Sequence, residues 1–137
     1  MERVVQKIGR IREYLRLLQT LRPECHDRFP VDPIFRGAVL HYLYLLADGC
    51  IVLAELVIRQ RRLRLPQTYA ESFDILGEGG VIPSDFAYAF ASIAGFRNFL
   101  AHDYERVDHM VVCSEIMKRL EDVDQYLQFV EEAVRQG

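Results

Sequence analysis

The stretch from Pro33 to about Arg64 limits what this chain can fold into more than any other part of it. Phe35, Val39, Tyr42, Leu46, Gly49, Leu53 and Leu56 recur at helical spacing and form one apolar stripe. Leu43, Leu45, Cys50, Val52 and Val57 make the same helix apolar on more than one side. A helix with two apolar sides needs cover on both. In a chain of 137 residues, the second cover is a candidate contact with another subunit. Asp32 before Pro33 supplies a capping oxygen followed by proline at the first helical position, which marks the start of this helix. Leu65-Pro66 marks its stop.

The remaining segments supply helices to pack around it. Val4, Ile8, Ile11, Leu15 and Leu18 make one stripe in a first helix that Pro23 ends, and residues 23 to 31 connect the two. Thr68 with Glu71 forms a capping box for a short helix, "YAESFDIL", closed by the glycines of "GEGG". No Lys-Ser/Thr follows those glycines, so they are not a phosphate loop. Ser84 is placed to cap a fourth helix that begins at about Asp85 and runs on past residue 100. The last helix begins near Asp108, with Cys113, Ile116, Leu120, Val123, Leu127, Val130 and Val134 as a bundle seam. No stretch alternates like a strand. The pattern predicts an all-α, antiparallel bundle of three or four long helices plus a short one, as one domain over residues 1–137.

Composition excludes several classes. Half the residues are hydrophobic and the net charge is −3, so a basic nucleic-acid coat is absent and any RNA binding rests on a local patch. The N-terminus is charged throughout, unlike a signal peptide. His41, Asp48 and Glu55 interrupt the most apolar stretch, which argues against a membrane span. Cys25, Cys50 and Cys113 are odd in number and lack metal-like spacing, so they are expected to be reduced thiols in a cytoplasmic protein.

One stretch carries chemistry. "GFRNFLAHDY", residues 95–104, sets Arg97, Asn98, His102, Asp103 and Tyr104 among apolar residues. Arg offers a fork of donors matched to a phosphate, and His exchanges a proton near neutral pH. Together they suit metal-independent cutting of RNA, with a base for the ribose 2′-hydroxyl, an acid for the leaving oxygen and Arg97 for the phosphorane charge. On a regular helix Arg97 and His102 point roughly 140° apart. Either the helix unwinds inside the motif, or two chains bring their Arg and His residues together at a two-fold axis. A dimer also supplies the two histidines that base and acid require. Asn98 lies one turn from His102 and is placed to orient its ring or to touch RNA. Asp48, a lone carboxylate among apolar residues, is placed to hold Arg97. Arg59, Arg61, Arg62 and Arg64 fit the helix dipole better than they fit phosphate contact. His26, His41 and His109 read as surface residues.

"RNFLAHDY" resembles the Arg-x4-His-x-Tyr motif of HEPN-domain proteins, specifically the HepT-like toxins, and "LRLPQTYAESFDILGEGGVIP" resembles the segment that precedes it there. The resemblance covers about Ala38 to Tyr126. It implies a HEPN-type bundle and the toxin of a toxin–antitoxin pair, a ribonuclease without metal or cofactor. It implies a homodimer with facing motifs, and a minimal nucleotidyltransferase (MNT-type) antitoxin that transfers AMP to the motif tyrosine. Arg97 and His102 match the catalytic pair, Tyr104 the modified tyrosine, and Asn98 a common residue after the Arg. Two alternatives stand beside it. One is a metal phosphohydrolase using the His102-Asp103 dipeptide with His41, His109 and Asp124. The other is a non-catalytic HEPN module that binds a nucleotidyltransferase or nucleotides.

Overall fold

A computed structural model describes all 137 residues. Its α-helices are α1 (Glu2–Leu21), α2 (Cys25–Arg28), α3 (Pro33–Gln60), α4 (Tyr69–Glu78), α5 (Ser84–Phe90), α6 (Ile93–Asp103) and α7 (Leu120–Gln136). A 3-10 turn spans Arg22–Glu24 and another spans Tyr104–Arg106. Before α7 the chain makes a π-helical stretch, Val111–Ile116, and a 3-10 turn, Met117–Arg119. One hydrophobic cluster of 36 buried residues draws on every α-helix. All of this is helix and connection, as the periodicity predicts.

α3 sits at the centre. Asp32 caps it as expected, its Oδ1 accepting from the amides of Ile34 and Phe35 at 3.0 and 3.1 Å. α1 packs along one side with Val4, Ile8, Ile11, Leu15 and Leu18 buried. α4 and α6 cover another side. The second cover is therefore supplied within the chain, and the apolar surplus of α3 does not by itself ask for a second subunit. By length and composition α3 could cross a bilayer, with a mean hydropathy of 1.6 over its most apolar window, but 56% of that window is buried in the fold.

The structure departs from the sequence expectation at six places. α3 stops at Gln60 and not near Arg64, because Arg62 adopts a left-handed conformation, φ 54°. The Arg62 amide then donates to Arg59 O and the Leu63 amide to Ile58 O, which satisfies the last carbonyls. The cap of α4 is half as expected: Thr68 Oγ1 accepts from the Glu71 amide, but the Glu71 carboxylate turns to the amide of Gln67. Ser84 does not cap the next helix; Pro83 holds that position and Ser84 is already helical. That helix also breaks in two at Ala91-Ser92, where Ser92 Oγ donates to Ala89 O and accepts from Arg119 Nη2. A serine hydroxyl that engages a nearby carbonyl competes with the helical ladder. In the last helix the wide π turn rotates Met117 into the core and leaves Ile116 half-buried, so the seam slips by one residue there.

The sixth departure is covalent. Cys25 and Cys113 form a disulfide, with their Cα atoms 5.5 Å apart and a sequence separation of 88. The expectation of three reduced thiols is corrected for these two. Spacing along the chain cannot reveal a bridge that arises only when α2 docks on the start of the last helix. Cys50 alone is free, and it is buried. Burial pushes its thiol pKa well up and does the same to Tyr126, whose hydroxyl donates to Cys50 O at 2.9 Å.

Candidate functional site

α6 docks on α3 through Ala94 and Leu100, both buried. Arg97 lies between them on the helix, so its stem follows the packed flank while its guanidinium reaches out. The side chain is 19% exposed. Nε donates to Asp48 Oδ1 at 3.1 Å and Nη1 donates to Asn98 Oδ1 at 3.2 Å. The guanidinium carbon lies 5.3 Å from the ring centroid of Tyr44 and 5.3 Å from that of Tyr69. Two aromatic faces and a carboxylate thus fix its plane. Burial works to lower the Arg97 pKa, but the hydrogen bond that Arg97 donates to Asp48 and the electrostatic attraction of Tyr44, Asp48 and Tyr69 outweigh it, and the net shift is upward. Nη2 has no protein partner, so one donor edge is left for a ligand.

Asp48 therefore meets Arg97, as its position in the sequence suggested. Tyr44 and Tyr69 join them unannounced. Tyr44 had a legible signal, since it lies one turn before Asp48 on the same face of α3. Tyr69 had none, because its place depends on how α4 docks.

His102 is not brought to Arg97 within the chain. α6 stays helical through Asp103, and the tighter turn begins only at Tyr104. The unwinding that would have turned His102 back does not occur. His102 instead joins Gly95, Asn98 and Phe99 on the exposed face of α6. Phe99 is an apolar side chain in solvent on that face. Tyr104 is 53% exposed and opens on a cleft of about 960 Å³ between the segment ahead of α3 and the end of α6.

The other candidates separate clearly. Arg61 Nη2 donates to Ala133 O at 2.6 Å, and Arg64 is paired with Glu71 and Glu78. Half of the basic run is thus paired, leaving Arg59 and Arg62 exposed without a side-chain partner. His41, His109 and Asp124 are not gathered with His102 into a ligand set for a metal. His41 and His109 both line the cleft beside Tyr104.

The profile of a family described as Ribonuclease HepT-like matches residues 10–130. The mRNA nuclease HepT of Shewanella oneidensis is 24% identical over 127 residues, covering 93% of this chain and 95% of its own. Among solved structures, the tri-AMPylated Shewanella oneidensis HEPN toxin in complex with MNT antitoxin has a TM-score of 0.83 at 24% identity, covering 94% of this chain and 96% of that one. A mutant MntA–HpeT toxin–antitoxin structure gives 0.84 at 23% identity, covering 94% and 98%. At these identities the structural likeness establishes the shared all-α fold.

Proposed function

Because the chain belongs to the ribonuclease HepT-like family, we propose that it is a metal-independent endoribonuclease, the toxin of a toxin–antitoxin pair, acting as a symmetric dimer of single-domain chains. One observation carries the reading. Arg97 is clamped with a donor edge free, while His102 stands on the other flank of an unbroken helix. Two chains placed with their α6 faces together bring both kinds of side chain to one phosphate. Phe99, exposed beside His102, gives that face an apolar anchor, and Gly95 leaves open space for close approach.

In the reaction one His102 takes the proton of the ribose 2′-hydroxyl. The oxygen attacks its own phosphorus, and an O2′–P bond forms as the P–O5′ bond breaks. The partner's His102 gives a proton to the departing O5′. Arg97 Nη2 donates to the phosphorane oxygens, with Asp48 as a positioning residue and Asn98 steadying the guanidinium. The products are a 2′,3′-cyclic phosphate and a 5′-hydroxyl.

Control comes from an MNT-type nucleotidyltransferase antitoxin. The Shewanella oneidensis relative is AMPylated and complexed with such a protein. Here Tyr104 Oη attacks the α-phosphate of ATP held by that partner, and diphosphate leaves. The adduct's negative charge then competes with RNA for Arg97. RNA and ATP put this chemistry in the cytoplasm. The Cys25–Cys113 bridge pulls against that compartment, where thiols are kept reduced.

The test is cleavage in EDTA. Arg97→Ala and His102→Ala should each lose at least about 10²-fold in rate with the fold intact. The parent should sediment as a dimer, and incubation with the cognate nucleotidyltransferase, ATP and Mg²⁺ should add whole AMP units at Tyr104. Parental rates in both variants, or an active monomer, would sink the shared site. An unmodified Tyr104 in a neutralised sample would replace modification by simple masking.

A further inference from the structure

The ribonuclease reading accounts for Arg97, His102 and Tyr104 but leaves the cleft beside them unused. It is lined on the α3 side by Gly37, Leu40, His41 and Tyr44, which recur at i, i+3, i+4 and i+7. Asp48, the residue that holds Arg97, is the next turn of that face. Tyr44 belongs to both places: it is a wall of the cleft and carries the Arg97 guanidinium 5.3 Å from its ring centre. The cleft and the phosphate site are therefore continuous, joined by one aromatic ring.

The lining states what fits. Leu40, Leu100 and Val107 give an apolar floor. Tyr44, Tyr104, His41 and His109 give planar rings around it. Those are the groups that stack nucleobases, because every base offers a π-face. A Cβ added at Gly37 would meet nothing, so the floor is open there. Arg36 reaches the cleft but already donates to Phe29 O at 2.9 Å. Glu105 at the rim repels phosphate and accepts hydrogen bonds from an exocyclic amine. The rings of the lining thus favour a base, while Arg36, held only by a neutral carbonyl, keeps its positive charge at the edge of the cleft. A volume of about 960 Å³ is at the upper end for small-ligand sites and admits a nucleoside with room to spare.

We propose that this cleft, between Tyr44 and Tyr104, holds the RNA base adjoining the phosphate that Arg97 binds. It rests on the ribonuclease reading. Its consequence is a preference for unpaired RNA, since a base can enter only when it is unstacked from its neighbours.

The experiment uses oligoribonucleotides carrying 6-thioguanosine, photo-crosslinked to the full-length His102→Ala protein so that the RNA stays intact. Crosslinks should map to peptides holding His41, Tyr44 or Tyr104. Adding His41→Ala and His109→Ala should cut the crosslink yield by roughly 5- to 150-fold, the span of one lost base stack, while His41→Phe retains it. In parallel the parent should cut RNA with an abasic nucleotide beside the cleaved bond more slowly by a similar factor. Crosslinks confined to the Arg59–Arg64 run or to the Phe99 face, with cleavage intact, overturn the base cleft and leave the ribonuclease standing. Crosslinks in the cleft with a parent that cuts no RNA overturn the ribonuclease instead. A change of oligomeric state in His41→Ala with crosslinking unaltered marks the cleft as a face covered by a second copy, which also overturns the proposal.

Discussion

Replacing Asp48 with alanine removes the acceptor that fixes Arg97 Nε, and the structure sets the size of the effect. The pair is a charge-assisted hydrogen bond of 3.1 Å between side chains 19% and 37% exposed. Solvent screening reduces such a bond to about 1 kcal/mol of stability. With ~2.1 cal/mol/K of unfolding entropy per residue over 137 residues, that is a fall in Tm of about 3–4 °C. The loss of rate should be larger in proportion. A misplacement near 1 Å costs about 10²-fold, but Tyr44 and Tyr69 still flank the guanidinium from two sides. The expected fall in kcat is therefore about 10- to 10²-fold, with KM little changed. Asp48→Asn keeps a neutral oxygen acceptor for Nε and should lose less than about tenfold. Cleavage of a fluorogenic oligoribonucleotide in EDTA, beside a thermal melt, reads both quantities. Asp48→Ala that melts 3–4 °C lower yet cuts RNA at the parental kcat would refute the reasoning, because the pair would then be structural only.

Two further outcomes concern the scaffold. The Cys25–Cys113 bridge closes a loop across 88 residues, which by chain entropy stabilises the fold by about 4.5 kcal/mol. Reduction, or Cys25→Ser, should lower Tm by roughly 15–16 °C, and thiol titration of the unreduced, unfolded protein should find only Cys50; an unchanged melt in reductant would show that the bridge adds nothing. At Arg62, φ 54° imposes on an arginine the backbone that glycine adopts freely. Arg62→Gly should raise stability by about 0.5–1 kcal/mol, seen as a small rise in the urea midpoint with the slope unchanged, and a lower midpoint would mean that the arginine side chain contributes more than its backbone costs.

The sequence by itself determined the helices and the chemistry they carry. The Val4–Leu18 stripe, the Asp32-Pro33 start and the two-sided character of residues 33–60 are properties of single segments, because i, i+3 and i+4 neighbours share a face wherever the helix goes. The Arg97–His102 spacing already announced that one regular helix could not join the pair, and α6 keeps that geometry. Tertiary structure decided what meets across elements. It brought Asp48 and Tyr44 of α3 and Tyr69 of α4 to one guanidinium, paired Cys25 with Cys113, and covered α3 with α4 and α6 of its own chain. It split the helix at Ser92 through bonds to Ala89 and Arg119, and it chose Met117 over Ile116 through a π turn. These outcomes depend on the distance and rotation between helices, and periodicity, which repeats along one axis, carries no information about either.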